Sequence, residues 1–202
     1  MRRTAKETRE HILAVTHDLF YWHSIKGTGV DTIAATAGVA PTTLYRLFAS
    51  KDGLVAAYVE RASGLYKEWF IEATADGDPA DRIMSLFDAL IEQVRPENCR
   101  GCPFLMAIAE LPDASAKAHA LAVETKAWVR EKIGELTAQL AVEDPAVLAD
   151  QVFLVMEGVY ASVQSHGADG PARQARGLVG ALLGEHAPTR SSEICRPDDR
   201  SG

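Results

Sequence analysis

The chain has 202 residues, a length for one large domain or two small ones. A hydrophobic share of 47% and an aromatic share of 7% exclude a disordered chain, and 21 basic against 28 acidic side chains, a net −7, exclude a coat that is basic throughout. The charge is uneven. Residues 1–51 carry seven basic side chains (Arg2, Arg3, Lys6, Arg9, Lys26, Arg46, Lys51) against four acidic ones (Glu7, Glu10, Asp18, Asp31), a net +3, which leaves −10 on residues 52–202. That pattern describes a small basic module on a larger acidic body.

The periodicity predicts helices throughout; period-2 runs rich in Val, Ile and Thr, which would announce strands, do not occur. Thr8 to His23 carries a helical stripe of Ile12, Leu13, Thr16, Leu19 and Phe20. Val30 to Ala37 reads as a short helix closed by Gly38, and Pro41 to Phe48 as a second with proline at its first position. Ser50 is a candidate N-cap for a longer helix with Leu54, Tyr58, Ala62, Leu65, Tyr66, Trp69 and Phe70 on one face. After the break at 76–79 comes a helix with Ile83, Leu86, Phe87, Leu90, Ile91 and Val94, then a turn over 96–101 and a short apolar helix from Pro103 to Leu111. A long helix is expected over 115–141, another from Asp144-Pro145 to about Gly167, and a last one from Gly170-Pro171 to near His186. The tail from Pro188 is polar and is expected to be disordered.

Two short helices joined by Ala37-Gly38-Val39-Ala40 make a helix–turn–helix: the glycine permits a sharp reversal, and the second helix can then project into a DNA major groove. Ile33, Ala34, Val39, Leu44 and Phe48 fall at spacings that pack the pair on the first helix, which leaves Pro41, Thr42, Tyr45 and Arg46 on the outer face.

The text Thr8-Arg9, Ile12-Leu13, Leu19-Phe20, Thr28-Gly29-Val30, Ile33-Ala34, Ala37-Gly38-Val39, Thr43-Leu44-Tyr45, Phe48, Ser50-Lys51-Asp52 and Leu54 resembles, in order and spacing, the TetR family of bacterial transcriptional regulators. The resemblance covers about the first quarter of the chain. It implies an all-α fold: a three-helix DNA-binding domain over 1–51, a ligand-binding and dimerisation domain over 52–187, and the tail at 188–202. Two departures stand out. Ser24-Ile25 replaces the family's glycine and aromatic after the first helix, so that turn should differ locally. Ala40 replaces a common capping serine, so the recognition helix should lack a side-chain cap.

The resemblance also implies roles. Thr28 and Lys51 would contact phosphates, and Pro41, Thr42, Thr43, Tyr45 and Arg46 would face the groove, with Arg46 able to reach guanine O6 and N7. The arm with Arg2, Arg3, Lys6 and Arg9 would add backbone contacts, or else is a solvated tail. Implied partners are a palindromic double-stranded operator, a second copy of the chain, and a small apolar or amphipathic effector of unknown identity.

In the body, the helix ending near Gly167 is apolar on more than one side (Val152, Phe153, Leu154, Val155, Met156, Val159, Tyr160, Val163), so burial on nearly all sides is expected. Gly177, Gly180 and Gly184 in the last helix suggest close approach by another helix. The resemblance implies that these two helices pair with their copies in a four-helix bundle. Trp69, Phe70, Phe87, Cys102, Phe104, Met106, Trp128, Met156 and Tyr160 are candidate effector-binding residues, with Glu157, Tyr66 and His119 as further polar handles. Packing in the core is the competing reading for each.

Three cysteines make no disulfide framework. Cys99-Arg100-Gly101-Cys102 lacks the second ligand pair of a zinc site and the βαβ context of a thioredoxin-like motif. The run Arg100-Gly101-Cys102-Pro103-Phe104 resembles a segment of one TetR subgroup that precedes a short pocket helix, and that resemblance implies a structural Gly-Cys turn; redox sensing, with Arg100 lowering a thiol pKa, is the alternative. No nucleotide, metalloprotease or hydrolase motif occurs, and no cofactor or enzymatic activity is expected. The six histidines are scattered, and His17 and His23 are expected at the surface. Residues 1–10 contain no apolar signal core, and the apolar run Val152–Met156 stops at Glu157, so a cytoplasmic protein with no membrane partner is expected. The expected function is a ligand-responsive transcriptional repressor.

Overall fold

In a computed structural model, residues 3–95, 99–167 and 169–186 are described. Among them the chain forms helices α1 (Ala5–Trp22), α2 (Val30–Ala37), α3 (Pro41–Phe48), α4 (Lys51–Ala73), α5 (Pro79–Gln93), α6 (Pro103–Glu110), α7 (Lys117–Thr137), α8 (Pro145–His166) and α9 (Ala175–Glu185). No strand occurs among the described residues. The tail at 188–202, with Cys195, lies outside them, as do Arg2 and residues 96–98, the first half of the 96–101 turn.

Helix α1 starts earlier than Thr8 because Thr4 and Glu7 form a capping box. Thr4 Oγ1 accepts from Glu7 N (3.2 Å) and Glu7 Oε2 accepts from Thr4 N (2.7 Å), which satisfies two otherwise orphaned donors. Helix α7 ends at Thr137, short of 141, where Thr137 Oγ1 donates to Pro145 O (2.8 Å) and ties it to the start of α8. Asp144 caps α8 by accepting from Ala146 N and Val147 N. The last helical segment opens with a 3₁₀ turn, Pro171–Gln174, before α9.

Helices α1–α3 pack as a head around Ile12, Leu13, Phe20, Ile33, Leu44 and Phe48. Helix α4 runs from the head into the body, where α7 lies against α4, α5, α6 and α8, and α9 packs on α5 and α8. Fully buried Ile83, Leu86, Phe87, Leu90, Ile133, Leu148, Val152 and Met156 build the body core.

The burial expected for α8 and the close approach expected at the α9 glycines are only partly met within one chain. Within one chain α8 is not buried on nearly all sides: Leu154 is 67% and Val147 45% exposed, and Leu178 of α9 is 52% exposed. Of the α9 glycines, only Gly180 has a neighbour, Met84 Cε at 3.7 Å from where a Cβ would stand; Gly177 and Gly184 face open space. The small and apolar residues therefore make an open face on the chain itself.

Candidate DNA-reading face and effector site

The reading face begins with the reversal between α2 and α3. Gly38 takes φ = 65°, a conformation costly for residues with a Cβ, and its N–H bonds Ala35 O while Val39 N bonds Ala34 O. His11 Nε2 donates to the last α2 carbonyl, Ala37 O, at 3.0 Å. These bonds fix α2 against α1 and aim α3 outward. Leu44 and Phe48 turn inward and are buried, while Pro41, Thr42, Tyr45 and Arg46 are exposed and Thr43 is half-buried. Tyr45 is 53% exposed. Ala40 gives α3 no side-chain cap, as its sequence implies. Arg3 and Arg46 line a groove of about 570 Å³ between the start of α1 and the α2–α3 turn. Arg9 is held over the Phe48 ring at 5.2 Å.

The α1–α2 turn is built on Ser24, where the resemblance would place a glycine. Ser24 has φ = 153°, in the region that favours glycine, and its own atoms stabilise the turn: Oγ accepts from Gly27 N (2.7 Å) and O accepts from Thr28 Oγ1 (2.7 Å). Thr28 is thereby buried and its hydroxyl committed, so the phosphate contact expected of that hydroxyl has no free donor. Lys51, half-buried, has Nζ 3.5 Å from Lys26 O, beside the same turn.

His17 corrects another expectation. It is half-buried, stacked on Tyr21 (centroids 5.6 Å, 12° between planes) and tilted against Tyr58, and its Nδ1 is buried with no hydrogen-bond partner. Burial pushes its pKa below the usual histidine range; Asp18 opposes that shift and Arg61 adds to it.

In the body the expected effector residues divide. Tyr66, Trp69, Phe104, Met156 and Tyr160 come together: the Tyr66 ring lies 5.1 Å from Trp69 and 5.4 Å from Phe104, edge-on to the latter. Tyr160 Oη donates to Gln93 Oε1 (2.7 Å) and stands 3.2 Å from Tyr66 Oη, which lies 3.9 Å from Met156 Sδ. Burial raises both tyrosine pKa values, so both are neutral donors. Cys102 joins this group through Lys126, whose Nζ is 4.0 Å from its Sγ and pairs with Glu157. Phe70 and Trp128 form a separate edge-on pair (5.4 Å) beneath Lys67, Phe87 is in the core, and Met106 lines a surface cavity with Arg100, Ala109, Glu110 and Gln164. His119 Nδ1 donates to Leu111 O (2.6 Å) at the end of α6, so it is a tether rather than a handle.

Sequence reasoning missed Lys126, Gln93 and Tyr21. Lys126 had a readable signal: it shares a helical face with Ala122, Val129 and Ile133, all buried. Gln93 had none.

Both Cys99 and Cys102 are buried, free thiols. Burial raises the Cys102 pKa, which Lys126 only partly offsets. The Arg100 guanidinium donates to Tyr21 O (2.9 Å) and is occupied there. Gly101 has φ = 138°, and a Cβ on it would collide with the Gln164 side chain, so the segment is a tight structural turn against α8. Among the described residues no group of three His, Cys, Asp or Glu stands where it could hold a metal ion. Helix α8 alone among the described helices is long and apolar enough to cross a membrane by length and composition.

Residues 12–58 match the family model described as bacterial regulatory proteins, tetR family. The chain is similar to the HTH-type transcriptional regulator YjdC of Escherichia coli strain K12, 26% identical over 152 residues that cover 74% of this chain and 80% of YjdC. It is also similar to the HTH-type transcriptional repressor NemR of the same strain, 28% identical over 117 residues, 56% of this chain and 59% of NemR. The crystal structure of a TetR-family transcriptional regulator from Streptomyces coelicolor has the same fold, with a TM-score of 0.86 at 25% identity over 90% of this chain and 97% of that one.

Proposed function

The chain belongs to the TetR family of bacterial transcriptional regulators, and from that premise we propose that it is a cytoplasmic, dimeric repressor released from a palindromic operator by a small apolar or amphipathic effector. Residues 1–51 act as the reading head and residues 52–187 as the body. The observation that carries this reading is the outer face of α3, where Pro41, Thr42, Tyr45 and Arg46 are exposed together while their neighbours Leu44 and Phe48 are buried. An exposed aromatic and an arginine on a rigid helix suit base edges and thymine methyls. Leu154 and Leu178 support dimerisation, because an isologous contact would cover both.

The effector would enter the Tyr66–Phe104–Tyr160 region, where apolar rings surround the Lys126–Glu157 pair and the Tyr160–Gln93 bond. A ligand that binds better to one arrangement of α4, α6 and α7 shifts the population of head positions. The geometry favours this over thiol sensing, since Cys102 is buried with a raised pKa and Arg100 is directed at Tyr21 O.

Selection of operator from random duplex DNA, followed by footprinting, tests the proposal. The expected result is two protected half-sites centred about one helical turn apart. No sequence-dependent protection would reject it. With the operator in hand, a thermal-shift screen should find compounds that stabilise the protein and release the DNA.

A further inference from the structure

The head is joined to the body covalently through Ala49 and Ser50 into α4, and Ala49 has φ = 64°. A head attached at that junction alone would be free to swing about it. The head also packs on α4, with Phe20 edge-on to Tyr58 at 5.4 Å and Arg61 paired with Glu10. Beyond that packing, two sets of contacts, remote in sequence, tie the head to the body, and they hold the two ends of α6.

The first set centres on Tyr21, in the last turn of α1 and 7% exposed. Its Oη–H donates to Gly101 O (2.8 Å), and its Oη accepts from Arg100 N (2.7 Å) and Gly101 N (3.2 Å). Arg100 Nη1 returns a bond to Tyr21 O (2.9 Å). One phenol thus satisfies three backbone groups of the turn that leads into α6. The second set is at the other end of α6, where Glu110 Oε2 accepts from Lys26 N (3.0 Å). The Arg100–Gly101 turn is itself pressed on α8 beside Gln164, so the clasp reaches the helix that carries exposed Leu154.

We propose that Tyr21 is a positioning residue for operator recognition: by clasping the Arg100–Gly101 turn it fixes the head relative to α8, and so sets the half-site spacing that the dimer accepts. The inference rests on the dimeric, operator-binding reading above. Its physical basis is geometric. One inserted base pair moves a half-site by about 3.4 Å along the duplex and about 35° around it. A head held at both ends of α6 must break those contacts to follow, whereas an unclasped head is restrained only by its packing on α4.

The test uses the full chain and the operator it selects from random duplex DNA, with derivatives carrying one base pair inserted or deleted at the centre. Affinities are measured at fixed salt for the wild type, Tyr21→Phe and the double variant Arg100→Ala/Glu110→Ala. The wild type should lose about tenfold or more at each altered spacing and Tyr21→Phe about threefold or less, with the double variant, which keeps the phenol's bonds, between the two. A merely structural role would weaken binding equally at every spacing and leave the ratio unchanged, which overturns the proposal; so does a wild type indifferent to spacing. If Tyr21→Phe lacks the wild-type circular dichroism, Tyr21→Leu takes its place in the same comparison, because it too removes the phenol and its three bonds, whereas the double variant keeps them and reports only the Arg100 and Glu110 side-chain ties. A wild type that selects no two-fold sequence overturns the operator reading as well, and that outcome is distinct from an unchanged spacing ratio.

Discussion

Lys126 on α7 and Glu157 on α8 form an ion pair inside the body, and the same ammonium lies 5.2 Å from the Phe153 ring centre, 5.9 Å from that of Tyr160 and 4.0 Å from Cys102 Sγ. The two side chains are 10% and 20% exposed. Desolvating two charges roughly cancels their attraction, so the pair itself adds little, but removing one partner strands the other. Lys126→Met should therefore destabilise by about 3 kcal/mol, and Glu157→Leu similarly, with the double variant less destabilised than either single. Urea unfolding at one protein concentration measures this. Additive losses would mean that the two charges are not coupled.

A second consequence concerns acid. His17 is desolvated between Tyr21 and Tyr58, with Asp18 and Arg61 as its charged neighbours, and its pKa is lowered from 6.5. Folding therefore favours the neutral ring. Below pH 6.5 the unfolded chain takes up a proton that the native state resists, so this residue's contribution is present above 6.5 and lost as pH falls toward the native value. His17→Phe should remove that component of the pH dependence. It should also stabilise the protein at neutral pH by about 1 kcal/mol, because an unpartnered buried Nδ1 is replaced by a ring that stacks. Thermal melts of both proteins between pH 5 and 8 give the comparison, and parallel curves would exclude His17 as the titrating group.

The open face of α8 and α9 gives a third prediction. Leu154 and Leu178 are exposed and share a cavity wall with Val155, Gly158, Val159 and Ala175. Leu154→Glu would place like charges opposite each other across a two-fold interface. It should yield a folded monomer by sedimentation and reduce operator affinity by about two orders of magnitude, because each head then binds a half-site alone. A dimer that survives the substitution would move the interface elsewhere.

Much of this was legible in the sequence, and the limits have physical causes. Gly38 and Pro41 announce α2 and α3 because backbone chemistry acts locally: one residue adopts positive φ and the other lacks an N–H. Ser24 was readable for the same reason, as a non-glycine where a left-handed residue was wanted. Thr28 was not, because the acceptor that takes its hydroxyl is created by the unusual turn at Ser24. Tyr21 was invisible because its partners at residues 99–101 lie some eighty positions away and are backbone atoms, which carry no sequence signature. The aromatic cluster was half legible: helical spacing selected Tyr66, Phe104, Met156 and Tyr160, but it could not separate them from Phe70, on the same helix as Tyr66, or from Trp128 on α7, which pack elsewhere.

The head's chemistry yields the last prediction. Arg46 is exposed on the outer face of α3, whereas Lys51 is half-buried beside the α1–α2 turn, its ammonium near Lys26 O. The first is placed to meet base edges and the second a phosphate. Arg46→Ala should cost about 1–3 kcal/mol on the selected operator and flatten the preference at one base position per half-site. Lys51→Ala should weaken selected and random DNA alike and lower the slope of log affinity against log salt by about one per subunit. The body's net −10 on residues 52–202 repels phosphate, so the salt dependence should come from the head, despite a sequence pI of 5.4. Titrations at several salt concentrations with both variants separate the two roles. Equal losses of specificity in Arg46→Ala and Lys51→Ala would show that neither residue reads a base.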